Sequence, residues 1–223
     1  MNSFSPQQLN QSRIVKRLMF VYLLSQVVSE SKFFKGATWL KIFYHDSSIG
    51  DYFHNYSEVL KCSSCRKFSV IGEIDSKYKN NDKYEFLLEY PEFNKYNRWR
   101  QTHNPKDNPE VEGQKADGYE DMEIYYPGRY WGGIVKSSHT QSAFDGSTGH
   151  INWLFAIGSY EPWPEANKFP GPAIDFNTYY GVSEVLLWVR IDNTIILSTL
   201  RSKLKFAKRF IPLLGITTLL LFD

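Results

Sequence analysis

The segment Tyr84-Glu-Phe-Leu-Leu-Glu-Tyr90 alternates apolar and polar residues with the period of a β-strand. Successive side chains of a strand point to opposite faces, so the even-numbered residues from Tyr84 to Tyr90 share one apolar face. Glu85, Leu87 and Glu89 occupy the other face, which we expect to be mostly solvated. One buried and one wet face are typical of a strand in an antiparallel sheet.

Five other runs have strand length and are rich in β-branched or aromatic residues, namely 39–44, 68–71, 122–126, 151–157 and 182–191. Turn-forming Gly, Pro, Asn and Asp residues separate them. Both faces of the last run carry large apolar residues, which predicts a central position in the sheet. Strands without crossover helices pair mostly antiparallel. The predicted fold is therefore all-β, an antiparallel β-sandwich or jelly-roll-like domain.

Two segments between these runs depart from the strand pattern. Residues 57–60 are expected to form a single helical turn. The connection 94–119 is long and contains two Asn-Pro pairs. Connections of this length are uncommon unless they are functional or mobile, so this one is the segment of the domain most expected to be disordered.

The length of 223 residues predicts one domain with a full hydrophobic core. We place this domain at residues 33–192, between an N-terminal extension (1–32) and a C-terminal tail (193–223), and we expect both extensions to be short and helical. The content of 17% aromatic residues supports a β fold and, more weakly, a contact surface. A net charge of +2 argues against a nucleic-acid partner.

The two termini each allow more than one interpretation. Residues 13–28 are a basic cluster followed by an apolar run, which is the order of a secretory signal but also suits an amphipathic helix. Residues 200–210 are basic and 211–222 are mostly apolar. Twelve residues at helical rise cover about 18 Å, short of a membrane span of about 30 Å. Contact of this tail with a membrane surface is one interpretation, and an exposed or processed tail is another.

Three residues bear on the cellular compartment. Asn55 begins an Asn-Tyr-Ser sequence that accepts N-linked glycans in a secretory chain. Cys62 and Cys65 form a possible disulfide if the protein is exported, while a metal site that joins them with His45 and His54 is the minor alternative. We favour an extracellular or cell-surface location over the cytoplasm, and we predict neither a metal nor a cofactor.

Several motifs follow one another across nearly all of residues 33–192. They are Trp39-Leu-Lys-Ile-Phe-Tyr-His45, Tyr84-Glu-Phe-Leu-Leu-Glu-Tyr-Pro91, Tyr96-Asn-Arg-Trp-Arg-Gln-Thr102, Trp131-Gly-Gly133, Asp145-Gly-Ser147, Trp153-Leu-Phe-Ala-Ile-Gly-Ser159, Pro170-Gly-Pro172 and Glu184-Val-Leu-Leu-Trp-Val-Arg190. Their order resembles that of a β-rich eukaryotic module to which no catalytic residues are assigned. The resemblance implies a β-rich fold, and a kinship with lectin-like sandwiches is suggested by architecture alone.

A first candidate binding set is Arg98, Trp99, Arg100 and Asn104. A flat ring beside forked donors suits a sugar or a carboxylate, by stacking and by paired hydrogen bonds. The alternative is that Trp99 belongs to the core and that the arginines pair with acidic residues.

A second candidate set combines Trp131, Asp145 and Trp163. Trp131 would offer an aromatic platform and Asp145 would accept hydrogen bonds from sugar hydroxyls, if their loops meet. Asp145-Gly-Ser is also an ordinary turn sequence. Trp163 lies between prolines and is expected to be exposed.

The sequence points to recognition rather than catalysis. It contains no Gly-x-Ser-x-Gly, His-Glu-x-x-His or phosphate-loop motif. Glu85 and Glu89 lie about 13 Å apart at strand rise, too far for the carboxylate pair of a glycosidase. We predict a non-catalytic module that binds a carbohydrate or another surface ligand. The alternative is an assembly protein that contacts protein partners through exposed aromatic residues and the terminal segments.

Overall fold

The structure is a computed structural model, and it describes residues 31–62, 66–111, 113–125, 131–138, 140–146, 155–162, 173–175, 178–179 and 182–192. The chain divides into two compact units, Trp39–Arg190 and a second that combines Met1–Thr38 with Ile191–Asp223. The predicted signal or helix at 13–28 and the predicted tail at 193–223 lie outside the described residues. Within the described ranges there is no helix with the length and apolar character needed to span a membrane.

Strands are the commonest regular element among the described residues, and the helix among them, α1, spans Tyr56–Val59. Its position confirms the helical turn predicted at 57–60. The strands are β1 (Ser31–Phe34), β2 (Ala37–Asp46), β3 (Lys67–Ser69), β4 (Tyr84–Tyr90), β5 (Lys95–Gln101), β6 (Glu120–Ile124), β7 (Val135–Lys136), β8 (Ser142–Asp145), β9 (Ile157–Ser159), β10 (Ala173–Asp175), β11 (Thr178–Tyr179) and β12 (Glu184–Ile191). Short 3-10 turns lie at Ile71–Glu73, Ser76–Tyr78, Pro91–Phe93 and Pro105–Asp107.

The main sheet contains the order β2-β12-β4-β5-β6, and β3 also pairs with β2. The pairings of β12 with β4, β4 with β5, β5 with β6, and β3 with β2 are antiparallel. Three short strands form a second antiparallel sheet in the order β7-β8-β9. The mostly β fold and the central position of β12 are therefore confirmed.

The prediction that the connection 94–119 is the segment most expected to be disordered was wrong for its first part. Residues 95–101 form β5, which pairs with β4 along its whole length. Three alternate side chains of β5 point into the core, and two of them are polar amides, Asn97 and Gln101, on either side of Trp99. Because the inward positions are not all apolar, the strand lacks the hydrophobic alternation by which strands are recognised.

A chain of aromatic rings fills the core between the main sheet and the segments that flank the small sheet. Phe86 of β4 lies 5.6 Å from Trp99 of β5 between ring centroids. Trp99 meets Trp131 edge-on at 4.9 Å, and Trp131 meets Phe155 edge-on at 5.0 Å. Edge-to-face contacts at these distances add to the stability gained by burial.

The side-chain amide of Gln101 ties β5 to the segment that carries Trp131. Its Oε1 accepts hydrogen bonds from Trp99 Nε1 (2.7 Å) and from the backbone N–H of Ile134 (3.2 Å). Its Nε2 donates to the carbonyl of Ile134 (2.9 Å). The segments approach so closely that a Cβ on Gly133, where φ is +93°, would lie 2.9 Å from Gln101 Oε1. Only glycine meets both requirements at this position.

The second face of β4 is not mostly solvated, which corrects the expectation from its sequence. Glu85 and Leu87 are both buried on this face, while Glu89 is half-buried. The cross-strand neighbours of Leu87 are Trp188 of β12 and Arg98 of β5. Long side chains at such positions cover the residue between them with their apolar parts.

We predict that Leu87→Ala lowers the free energy of unfolding by about 2–4 kcal/mol, because it opens a cavity at a buried position. The matched control is Ile49→Ala at an exposed position, for which we expect a change below about 0.5 kcal/mol. Urea denaturation followed by tryptophan fluorescence measures both. A loss for Leu87→Ala as small as that of the control would show that this face of β4 is open to solvent.

Candidate functional site

Three arginines surround one buried carboxylate on the face of the main sheet opposite the aromatic chain, which we call the outer face. Glu85 lies on β4, Arg98 and Arg100 on β5, and Arg190 on β12. Antiparallel pairing puts Arg100 directly across from Glu85, and the two-residue period of β5 puts Arg98 on the same face. We call Arg98, Arg100 and Arg190 the arginine cluster.

Each oxygen of the Glu85 carboxylate accepts hydrogen bonds from the cluster. Oε1 accepts from Arg98 Nε at 2.8 Å and from Arg98 Nη2 at 2.6 Å. Oε2 accepts from Arg190 Nη1 at 2.9 Å and, at the longer distance of 3.4 Å, from Arg100 Nη2. Paired N–H donors on a carboxylate are among the stronger hydrogen bonds in proteins.

The Glu85 carboxylate is shielded from solvent, with 1% of its side chain exposed. Burial by itself raises the pKa of this carboxyl, but hydrogen bonds and positive charge from Arg98 and Arg190 outweigh burial and hold the pKa below its ordinary value. Glu85 is therefore ionised at neutral pH and serves as the counter-ion of the cluster.

Three guanidinium groups meet the one carboxylate of Glu85. Further carboxylates lie on the neighbouring strand β6. Glu120, across from Arg100, pairs with Lys83 at 2.7 Å. Glu123, across from Arg98, accepts a hydrogen bond from Tyr96.

The arginines themselves remain accessible, with 17%, 27% and 29% of the side chains of Arg98, Arg100 and Arg190 exposed. The planar forked donors of arginine match the geometry of carboxylate and phosphate groups. Two strands, β5 and β12, carry these donors on either side of β4. The arrangement is suited to binding an anion.

The first predicted binding set is only partly brought together at a surface. Arg98 and Arg100 share the outer face and pair with Glu85, which is the alternative that the sequence left open. Trp99 points to the opposite face and is fully buried. Asn104 is also buried, and its Nδ2 donates to the carbonyls of Ile71 (2.8 Å) and Ile74 (3.0 Å). Asn104 thus stabilises a loop rather than facing a ligand.

The second predicted set does not form an exposed platform among the described residues. Trp131 is buried edge-on between Trp99 and Phe155, because its ring fills the gap between the main sheet and the small sheet. Asp145 is a fully buried residue of β8. Trp163 lies outside the described residues.

Sequence reasoning missed two members of the site, Glu85 and Arg190. The sequence pattern predicts a mostly solvated face for Glu85, and it assigns Arg190 no role beyond its place in the motif Glu184–Arg190. A signal was present, since Glu85 and Glu89, Arg98 and Arg100, and Glu184 and Arg190 each lie an even number of residues apart, which puts each pair on one face of its strand. The signal could not be interpreted without knowing which strands are neighbours.

Two modifications predicted from the sequence, a glycan on Asn55 and a disulfide between Cys62 and Cys65, remain predictions. Asn55 is exposed and caps α1, where its Oδ1 accepts a hydrogen bond from the backbone N–H of Glu58 at 3.0 Å. Cys62 is buried, and its Sγ donates to the carbonyl of Lys67 at 3.3 Å. Cys65 lies outside the described residues, so the disulfide stays a prediction.

A second group of charged residues surrounds Lys67, whose side chain is buried. Its Nζ contacts Asp51 Oδ1 at 2.9 Å and Glu58 Oε1 at 3.2 Å, and it donates to the carbonyl of Tyr52 at 2.8 Å. Burial lowers the pKa of the lysine, but its two acidic partners outweigh burial and raise it. The charged form of the ammonium is therefore favoured.

His45 lies beside this group and is fully buried. Its Nε2 donates to the carbonyl of Asp51 at 2.8 Å, and its Nδ1 has no hydrogen-bond partner in the described part of the chain. Burial lowers the pKa of the ring to about 4, and the nearby charge of Lys67 also lowers it. Among the described residues, no group of three or more His, Cys, Asp or Glu side chains could hold a metal ion.

We predict that His45 makes the protein less stable as the pH falls from 7 to 4.5. The ring has a pKa near 4 when folded and about 6.5 when unfolded. The unfolded chain therefore binds a proton first, and about 2 kcal/mol of stability is lost over this range. Urea denaturation at each pH measures the loss.

In His45→Gln the loss of stability should be smaller by about this amount, whereas His54→Gln, at an exposed position, should match the parent protein. Identical pH profiles for all three would contradict the prediction.

We predict that Arg98→Met lowers the free energy of unfolding by about 3 kcal/mol, because it removes two hydrogen bonds from a buried carboxylate. The control Arg66→Met breaks the pair between Arg66 and Asp46 (2.6 Å), in which 42% of the arginine side chain is exposed. We expect a loss below about 1 kcal/mol there. Urea denaturation measures both variants. Equal losses of stability in Arg98→Met and Arg66→Met would mean that Glu85 is not stabilised through Arg98.

Comparison with known proteins identifies no relative whose function can be carried over. No protein-family model matches the chain, and no similar protein was found among curated proteins or solved structures. Evidence for function therefore comes from the side chains themselves.

Proposed function

We propose that this protein is a non-catalytic recognition module that binds an acidic carbohydrate or another acidic surface ligand through the arginine cluster. The observation that carries the proposal is the convergence of Arg98, Arg100 and Arg190 on the single buried carboxylate of Glu85. All three guanidinium-bearing side chains keep part of their surface exposed to solvent, where an anionic ligand can approach.

The scaffold supports recognition because the donors belong to strands rather than to loops. Arg98 and Arg100 lie on β5, and Arg190 lies on the central strand β12. Binding groups on paired strands lose little conformational entropy when a ligand arrives. A sandwich or jelly-roll-like arrangement of the two sheets, with lectin-like use of one face, is part of this proposal.

Aromatic stacking on a sugar ring is not assigned to Trp99 or Trp131, since both are buried. The carbohydrate part of the proposal therefore depends on charge and hydrogen bonding. An extracellular or cell-surface location fits this function, because acidic glycans are displayed there. The exposed position of Asn55 is compatible with a secretory chain.

A second candidate function is assembly with protein partners. Met122 and Tyr125, on β6 and just after it, are large apolar side chains that are exposed. Exposed apolar groups beside a strand offer a contact surface for another chain. Three acidic residues on the same strand, Glu120, Asp121 and Glu123, instead discourage edge-to-edge pairing.

An array of neutral, carboxylated, sulfated and phosphorylated glycans tests the proposed function. We expect retention of acidic glycans only, and weaker retention as salt is raised, because exposed charges are screened. Arg100→Gln and Arg190→Gln should each weaken binding about tenfold, by the loss of a charged hydrogen bond. The control Arg66→Gln, outside the cluster, should bind like the parent protein.

Two outcomes would contradict the proposal. One is retention of neutral glycans, and the other is acidic-glycan binding that survives in both cluster variants. Circular dichroism of each variant shows whether it is folded. If no glycan binds, and light scattering detects a dimer that Tyr125→Ser abolishes, assembly is the better supported function.

A further inference from the structure

The segment 47–55, which connects β2 to α1, is held to the domain by few buried side chains. All nine of its residues are described, and Ser47 and Phe53 are the buried ones among them, whereas 48–50, 54 and 55 are exposed. We call this segment the β2–α1 loop. A segment that buries few apolar groups can open at a lower free energy than that of unfolding the whole domain.

Three successive residues of the β2–α1 loop cover the ring of His45 on β2. The His45 ring meets those of Tyr52 and Phe53 edge-on, with centroids 6.0 and 4.9 Å apart. Its Nε2 lies 2.8 Å from the carbonyl oxygen of Asp51. A carbonyl oxygen can only accept a hydrogen bond, so Nε2 carries the proton and Nδ1 of the neutral ring carries none. The closed loop therefore holds His45 in its neutral form.

Among the described residues, the closed loop offers no acceptor for a second proton on this ring. Acid adds that proton to Nδ1, which is buried and has no hydrogen-bond partner in the described part of the chain. Lys67 lies directly across from His45 on β3, and its ammonium is 5.5 Å from the centre of the Phe53 ring. Protonated His45 would thus be a buried donor without an acceptor, close to a second cation. Both conditions disfavour the charged ring.

The carboxylates around His45 are engaged with other partners. Lys67 pairs with Asp51 at 2.9 Å and with Glu58 at 3.2 Å. Burial raises the pKa of Glu58, but hydrogen bonds from the backbone of His54 and from Lys67 outweigh burial and lower the pKa. His54 itself is exposed, so its protonation favours neither the closed nor the open loop. The charged groups on the elements packed around His45 are Asp46 on β2, Arg66 and Lys67 at β3, Asp51 and His54 in the loop, and Glu58 on α1.

We propose that the β2–α1 loop is an acid-sensitive switch, in which protonation of His45 favours an open loop that exposes Phe53 while β4, β5 and β12 stay paired. The proposal goes beyond recognition by the arginine cluster and does not depend on it. Opening breaks the hydrogen bond of 3.0 Å from the Phe53 backbone N–H to the carbonyl of Ser159, and also the contacts of Lys67 with the loop. The aromatic chain of the core stays in place, because none of its rings belongs to the loop.

The pH range of the switch follows from the two states of His45. Burial lowers the pKa of the ring to about 4 in the closed loop, although the hydrogen bond to Asp51 raises it. An imidazole in water has a pKa of about 6.5. Because the open loop binds the proton more tightly, the closed loop loses stability as the pH falls. The equilibrium constant for opening should rise about twentyfold between pH 7 and pH 5.

Hydrogen exchange of the full chain, followed residue by residue by NMR at pH 7 and pH 5, tests the proposal. The Phe53 amide reports opening of the loop, and the amides of β4 and β5 report larger unfolding. After correction for the intrinsic exchange rate, we expect the opening constant at Phe53 to rise about twentyfold at pH 5. Low concentrations of urea should change it little, because the open loop exposes little surface, whereas the amides of β4 and β5 should respond to urea more steeply.

Two histidine variants test the assignment to His45. The glutamine of His45→Gln does not titrate and can still donate to the carbonyl of Asp51, so the opening constant at Phe53 should no longer depend on pH. The matched control His54→Gln, at an exposed position, should keep the pH dependence of the parent protein. NMR titration of the His45 ring in the parent protein should give a pKa well below that of a free imidazole.

Three outcomes would count against the switch. A Phe53 amide that responds to urea as steeply as those of β4 and β5 would mean that the loop opens only when the domain unfolds, and would overturn the proposal. A rise at pH 5 that persists in His45→Gln would overturn the role of His45. If His45→Gln does not fold, a His45 ring that titrates like free imidazole in the parent protein would overturn that role by itself.

Discussion

The register between β4 and β5 is the constraint on which both faces of the main sheet depend. Their antiparallel pairing places Phe86 opposite Trp99 and Glu85 opposite Arg100. The first pair points inward and begins the aromatic chain of the core, and the second points outward and belongs to the charged cluster. A slip of one residue would exchange the faces of one strand, and would direct Glu85 into the apolar core. Core packing and the candidate site are therefore two results of a single alignment.

Burying a carboxylate is costly, and the protein offsets that cost by surrounding Glu85 with donors. A buried ion pair seldom adds stability relative to apolar residues of similar size, although breaking one is strongly destabilising. Lys67 shows the same solution with the opposite charge, since two carboxylates and a carbonyl surround its ammonium. The two sites differ in their exposure to solvent. The Lys67 side chain is 7% exposed, whereas those of Arg98, Arg100 and Arg190 are 17%, 27% and 29% exposed, and for this reason we place the proposed binding site at the cluster.

Much of the fold was predictable because strand patterns are local. The alternation in β4 and the apolar run of β12 each identify a strand from a few adjacent residues. β5 escaped detection because the inward side chains of Asn97 and Gln101 are polar, and their burial depends on partners far along the chain. Asn97 Oδ1 accepts from the backbone N–H of Tyr125 at 3.0 Å, and Gln101 bonds to Ile134. Polar residues satisfied by distant segments cannot be recognised as core residues from local sequence.

By itself the sequence determined that short strands with turn-forming connections build this protein, and that Arg98 and Arg100 lie close together. Only the tertiary structure decided that Trp99 and Trp131 are core residues, that Glu85 is buried, and that Arg190 joins two arginines that precede it by about ninety residues in the sequence. The physical reason is the range of the interactions involved. Backbone geometry and side-chain alternation act between adjacent residues, whereas strand order and register are set by the packing of the whole sheet.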